Sequence, residues 1–296
     1  MIKIIKKLYE KHEKKLIVIP ILMIIASLWI VGSQYSKTGD IFNKDVTLSG
    51  GITATVYTNV DVSIVEKAIA DNTHKEAIVR KLTEFGTNKQ KGIVIESADI
   101  TRDELESVLK NNLKIELTND NYSIEQTGAT LGQSFYRQMM IALLVGFLMM
   151  SIVVFVIFRA VVPSLAIIFS AFADMLCTVA VLDLLEVKVS TAGIAGVLLL
   201  IGYSVDTDIL LTTRMYRRKE GRIMERIFSS AATGLTMTAA GLASLSLGYV
   251  LTTSFVIKEM FLVLIIGLLI DVFMTYLLNA RMILWYTEKK EGKTNA

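Results

Sequence analysis

Six stretches of the chain, 16–33, 139–158, 162–185, 191–213, 227–250 and 260–284, are apolar with few or no basic residues inside them. About 20 such residues, rising about 1.5 Å each, cross a hydrocarbon core of roughly 30 Å, so each stretch is predicted to be a transmembrane helix. The interval 34–136 reads differently, because polar and apolar positions alternate there in short elements. Thr53, Thr55 and Tyr57 interleave with Ala54 and Val56 behind Gly50-Gly51, which predicts a strand, and Ile93, Val94 and Ile95 predict a second. Ile64, Val65, Ala68 and Ile69 have helical spacing. So do Ile78, Val79, Leu82 and Phe85 behind Thr73-x-x-Glu76, which has the form of a capping box. Thr101-x-x-Glu104 opens a further helix with Leu105, Val108 and Leu109, and 119–121 is expected to turn a hairpin joining Ile115 and Leu117 to Tyr122 and Ile124. The expected fold is a multi-pass α-helical membrane protein: six transmembrane helices with a small α+β domain between the first and second.

Composition sharpens this picture. The 296 residues are 53% apolar with 2 prolines and a mean hydropathy of +0.53, too apolar for an ordinary soluble domain. Of the 31 basic and 28 acidic residues, 26 lie between Lys37 and Glu125, and the remaining two-thirds of the chain has long stretches with hardly any charge. A net charge of +3 with no basic stripe and no interleaved aromatics argues against nucleic acid as a partner. The lone Cys177 cannot form an intrachain disulfide. No metal-ligand cluster, catalytic triad or phosphate loop stands in 34–136, so neither a catalytic residue nor a cofactor or metal is expected, and the chain does not read as an enzyme.

Charge also orients the helices. Lys3, Lys6, Lys7, Lys11, Lys14 and Lys15 precede the first stretch. Arg214, Arg217, Arg218, Lys219, Arg222 and Arg226 fill the connection after the fourth, and Lys289, Lys290 and Lys293 end the chain. The positive-inside rule puts all three groups in the cytoplasm, and six crossings make them agree. The connections 186–188 and 251–259 are poor in Lys and Arg and fall outside. With no small-residue cleavage site after it, the first stretch reads as a retained anchor. The expected division is a cytoplasmic basic N-terminus over 1–15, helix 1 over 16–33, an extracytoplasmic domain over 34–136, helices 2–6 over 137–286 and a cytoplasmic tail over 287–296, all in the cell membrane.

The candidate chemistry lies in acids where charge is expensive: Asp174 in the third stretch, Asp206 and Asp208 in the fourth, and Asp271 in the sixth. A central Asp costs about 2.5–3.5 kcal/mol to insert, so these side chains should face the bundle. No Lys or Arg lies at their depth, which makes protonation the cheapest local answer and a proton relay the candidate role. Ser204, Thr207, Thr236 and Thr238 are the supporting polar candidates, and Thr178 and Thr212 lie one turn from Asp174 and Asp208. Asp206 and Asp208 are about 200° apart around a helix, so they cannot both meet the same partner. The plainer reading is that the acids only knit helices together. Ser230, Gly234 and Thr238, and Ala240, Ser244 and Gly248, give the fifth helix two lines of small residues and hence tight packing on two sides.

The segment Gly202-Tyr203-Ser204-Val205-Asp206-Thr207-Asp208, followed by Ile209 and ending at Arg214, resembles the SecF family of protein-export membrane proteins, relatives of the resistance-nodulation-division transporters. Gly50-Gly51, Gly128, Gly132 and Asp174 fit the same family. Bacterial members usually carry an acid at the position of Thr207 and another at that of Thr213. They also carry a buried arginine in the fifth helix, where this chain has Ser229 and Ser230, so the pattern is of archaeal type. The resemblance implies an accessory subunit of the Sec translocase, coupled to the proton gradient. Its implied partners are a SecD-like six-helix subunit, a SecYE-type channel and a translocating polypeptide. A non-catalytic scaffold for the export channel and a small-solute exporter remain open alternatives. A membrane aspartyl protease does not fit, because neither Gly-x-Gly-Asp nor Tyr-Asp occurs.

Overall fold

A computed structural model describes residues 16–83, 90–118, 121–216, 223–252 and 254–294. Among the described residues, six helices are long and apolar enough to cross a membrane: α1 (Val18–Thr38), α5 (Ala129–Phe158), α6 (Val161–Leu184), α7 (Thr191–Tyr216), α8 (Ile223–Leu251) and a composite sixth. The last runs from α9 (Phe255–Phe273) through a π-helical turn, Met274–Asn279, into α10 (Ala280–Thr294). These six spans are not equivalent. In the third, fourth and sixth, 61%, 56% and 50% of the most apolar window is buried, against 11% in the first, second and fifth. Asp174, Asp208 and Asp271 of the buried three are held inside protein, while α1, α5 and α8 present most of their apolar side chains outward. Of the two small-residue lines on α8, Ser230, Gly234 and Thr238 are buried. Ala240 and Ser244 are exposed, whereas Gly248 packs on Phe261, so the second line packs at its far end alone.

Between α1 and α5 lie a short helix, α2 (Val46–Ser49), and the α+β lobe. Strands β1 (Gly51–Val56), β2 (Ile78–Thr83), β3 (Gln90–Ser97) and β4 (Tyr122–Thr127) form an antiparallel sheet in the order β2-β3-β1-β4. Helices α3 (Val62–Thr73) and α4 (Arg102–Ser107), the latter continued by a π-turn over Val108–Asn112, cover one face. Ile52, Ala54, Val56, Ile93 and Ile95 pack there against Val65, Ile69, Leu105 and Leu109. The capping box at Thr101 and Glu104 forms as its sequence predicts. Lys75 also donates to Glu104 at 2.8 Å, and this bond with those from Thr101 holds the carboxyl down to about 2.

Two expectations in the lobe are corrected. Ile78, Val79 and Leu82 lie on strand β2 rather than on a helix. α3 ends at Thr73 with His74 at φ 53°, so Thr73-x-x-Glu76 stands past a helix end instead of before a start. Phe85 falls outside the described residues. The hairpin also fails: 114–118 form no strand, and β4 pairs with β1 instead. Asn121 ties this stretch down by donating to the Glu116 carbonyl at 2.7 Å and accepting from Thr118 N–H at 2.7 Å, a local use of side-chain bonds in place of a ladder. Residues 119–120, like the basic segments 1–15 and 217–222, lie outside the description.

The lobe is bound to the bundle at its root. Asp45 N–H donates to Val189 C=O at 3.0 Å and Val189 N–H to Asn43 C=O at 2.7 Å. Phe42 and Leu48 are buried with Leu182, Val189 and Val197 of the bundle. Gly50 turns the chain at φ 87°. A Cβ on Gly132 would stand 2.7 Å from the Gly50 nitrogen and 2.9 Å from the Leu48 carbonyl oxygen. The second span thus starts pressed against backbone, which a side chain there would push away.

Candidate functional site: a carboxyl layer in the bundle

The three buried spans each place one acid in the same layer. Asp174 on α6, Asp208 on α7 and Asp271 on α9 are fully buried. The carboxyls of Asp174 and Asp271 lie within hydrogen-bonding reach of each other, and Asp208 is close enough to interact with both. Ser204 Oγ donates to Asp174 Oδ2. Thr207 Oγ1 donates at 2.9 Å to Asp271 Oδ2, and Thr275 Oγ1 at 3.0 Å to Asp271 Oδ1. Asn279 Nδ2 donates at 2.7 Å to Asp208 Oδ1, with Ser170 Oγ at 3.4 Å from the same oxygen. Among the described residues, every side-chain donor to the three is a neutral hydroxyl or amide, and no Lys or Arg forms an ion pair with them. Asp174 Oδ1 and Asp208 Oδ2 have no hydrogen-bond partner.

The arrangement follows from helix geometry. Ser204, Thr207 and Asp208 lie within a turn and a half of α7 and share its buried face. In the sixth span Asp271, Thr275 and Asn279 recur at four-residue spacing, and the π-turn Met274–Asn279 carries the last two. A π-turn shifts the residues after it around the axis and is a recurrent feature of functional sites. Here Asn279 meets Asp208 on the neighbouring span while Thr275 stays on Asp271.

Of the sequence candidates, Asp174, Asp208, Asp271, Ser204 and Thr207 come together. Asp206 does not: its side chain points out of the opposite side of α7, beside Tyr203, which is 48% exposed. Thr236 is exposed and donates to the carbonyl of Ala232 in its own helix at 2.8 Å, and Thr238 is buried with its hydroxyl unpartnered. Thr178 likewise bonds only its own helix, at the Asp174 carbonyl, 2.7 Å away. Sequence reasoning missed Asn279, Thr275 and Ser170. The four-residue spacing behind Asp271 was a signal that could have found the first two. At the cytoplasmic end of the motif by the sequence reading, Arg214 donates to Ser229 C=O at 2.6 Å and to Thr233 Oγ1 at 3.0 Å, fastening the fourth span to the fifth.

Six spans, a sheet-and-helix lobe inserted after the first, and acids from three spans meeting in the buried core define a polytopic membrane protein with an intramembrane carboxyl site. A family model described as protein export membrane protein SecD/SecF, C-terminal, matches residues 106–289. The chain is 34% identical over 290 residues to the protein-export membrane protein SecF of Pyrococcus furiosus, covering 98% of this chain and 96% of that one. To the SecF of Methanocaldococcus jannaschii it is 32% identical over 289 residues, covering 96% and 99%. The crystal structure of SecDF, a translocon-associated membrane protein from Thermus thermophilus, shares the fold at a TM-score of 0.72 with 17% identity. That match covers 94% of this chain but only 38% of the longer SecDF chain. The chain belongs to the SecD/SecF family of protein-export membrane proteins.

Proposed function

We propose that the chain is a non-catalytic accessory subunit of the Sec translocase that promotes export of unfolded polypeptide across the cytoplasmic membrane and draws on the proton gradient through Asp174, Asp208 and Asp271. The observation carrying this reading is the meeting of three carboxyls from three different spans in one buried layer with neutral donors alone. Protons taken up there cancel repulsion between like charges, and their release restores it, so occupancy biases how closely the three helices approach. A potential of about 100 mV supplies roughly 2.3 kcal/mol per charge moved, enough to tip a balanced pair of helix arrangements.

In this reading both termini are cytoplasmic, the lobe over 34–136 lies outside, and the partners are a SecD-like six-helix subunit, a SecYE-type channel and the emerging polypeptide. The family membership and the names of the full-length relatives support the export role. Asp206 supports the partner: an acid left on the outer face of a spanning helix costs about 2.5–3.5 kcal/mol against lipid and is relieved by a neighbouring subunit.

Asn substitution keeps the shape and hydrogen bonding of an aspartate while removing titration. Asp174→Asn, Asp208→Asn and Asp271→Asn should each accumulate normally in the membrane and abolish the gradient-stimulated part of export in vesicles with an imposed proton gradient. Wild-type stimulation in all three variants refutes proton coupling and leaves a scaffold that steadies the channel.

A further inference from the structure

The buried face of the sheet turned toward the bundle carries a second acid cluster, remote from the intramembrane layer. Glu96 on β3 is 8% exposed and Asp45, which precedes α2, is 7% exposed, and their carboxyls are within hydrogen-bonding reach. Asp45 Oδ1 and Glu96 Oε2 are both buried with no hydrogen-bond partner. Glu96 belongs to the lobe sheet, whereas Asp45 belongs to the segment whose backbone is bonded to Val189 of the bundle. The pair therefore spans the joint between the two bodies.

Charges of both signs surround it. Arg80 Nη2 of β2 stands 3.4 Å from Glu96 Oε2, and Lys188 of the connection between the third and fourth spans acts on Glu96 from the bundle side. Glu259 of the sixth span acts on Asp45, its own oxygens accepting from Ser190 N–H at 2.7 Å and Ser190 Oγ at 2.6 Å. Glu186 and Lys258 line the same cavity as Arg80, Lys188 and Glu259, and Asp183 accepts from Asn43 N–H at 3.3 Å beside the joint, so acids and bases are interleaved around the pair. The cations among them make the group a poor receptor for a metal ion.

We propose that Glu96, set against Asp45, is a proton-binding site at the joint, and that a proton held there clasps the lobe to the bundle. With it, Glu96 donates to Asp45, and the buried Asp45 Oδ1 gains the partner it lacks. Without it, two carboxylates face each other in a buried gap and the lobe is pushed away. Burial, with Asp45 beside it, pushes the Glu96 carboxyl up to about 7 from an ordinary 4.5. The sign follows from that direction: an acid raised in the closed joint strengthens closure fully below its free value and loses the contribution as pH rises through its closed value. The clasp therefore weakens from about pH 4.5 to about pH 7, and one proton changes the closed-to-open ratio by at most about tenfold per pH unit. The site deepens the proton-driven reading by giving the lobe its own response to the proton concentration outside.

The test uses the full chain in lipid nanodiscs, with Cys177→Ser and spin labels at Lys67→Cys on α3 and Leu184→Cys at the end of α6. Distance distributions between pH 5 and pH 8 should show one short population at low pH and a longer one growing as pH rises. Glu96→Gln, a permanent donor to Asp45, should hold the short population throughout. In difference infrared spectra a protonated-carboxyl band should titrate near neutral pH and vanish in Glu96→Gln. A distribution that ignores pH, or a Glu96→Gln chain that opens as the parent does, overturns the proposal, and loss of no carboxyl band in that variant does the same. No export assay or gradient enters, and Asp174, Asp208 and Asp271 are untouched, so failure here leaves the intramembrane reading standing and failure there leaves this one.

Discussion

At the residue scale, Asn279 separates a closed carboxyl layer from an open one. Its amide is the short donor to Asp208, at 2.7 Å, and Ser170 at 3.4 Å is too distant to replace it. Asn279→Ala should cost about 1–3 kcal/mol, the range for stripping a partner from a buried polar group. At about 2–4 °C per kcal/mol for a chain of this order, the thermal midpoint in detergent should fall by several degrees, and an unchanged midpoint would show that the bond holds nothing. The acids themselves were legible in the sequence, because a carboxyl in an apolar run is costly enough to demand a reason. Spacing showed that only one of Asp206 and Asp208 could face inward, but not which, since the register of a helix against neighbours is set by packing that one strand of sequence does not contain. Asn279 escaped notice for the converse reason: a neutral amide carries a smaller penalty and is common enough to pass as filler.

At the scale of elements, the π-turn Met274–Asn279 is the piece on which the layer depends. It places Asn279 against Asp208 while Thr275 remains on Asp271. Deleting Leu277 should draw the turn back into an α-helix and rotate all that follows by about 100° relative to Asp271. The bond to Asp208 should then be lost and the Thr207–Asp271–Thr275 group kept, with a midpoint drop like that of Asn279→Ala and loss of gradient-stimulated export. A deletion variant as stable as the parent would mean that the turn does not set this register. Nothing in the residues Met274–Asn279 announces a π-turn, and the spans themselves were readable only because length and hydropathy suffice for them. In the lobe, β2 shows the limit of periodicity. Ile78, Val79 and Leu82 fit a helical face, yet β3 offers an edge, and the pairing of Val79 with Ile95 buries Val79 in the sheet core. Tertiary pairing overrode a local pattern that was ambiguous over so few residues.

For the whole molecule, the distribution of exposure points to an incomplete assembly. α1, α5 and α8 present apolar surface that lipid can cover, but α7 also leaves Gly202, Tyr203 and Asp206 open on one side. Lipid satisfies the tyrosine and the glycine and not the carboxyl, so this strip is the surface that the SecD-like subunit of the proposed pair should cover. Two effects of Asp206→Leu then oppose each other. The isolated chain gains, because an acid worth about 2.5–3.5 kcal/mol against lipid is gone. The pair loses, because the polar contact across the interface is gone with it. A chain carrying Asp206→Cys and Cys177→Ser, co-produced with its partner, should crosslink to that subunit from position 206. Asp206→Leu should lower the co-purified partner while raising the thermal midpoint of the chain alone. If Asp206→Cys is quenched by a lipid-soluble reagent in the presence of the partner and forms no crosslink, the acid faces lipid in the assembly and the interface lies elsewhere. Export failing in Asp208→Asn but persisting in Asp206→Asn would place the two acids, two residues apart on one helix, in different jobs: one inside the proton layer, the other at its edge with a neighbour.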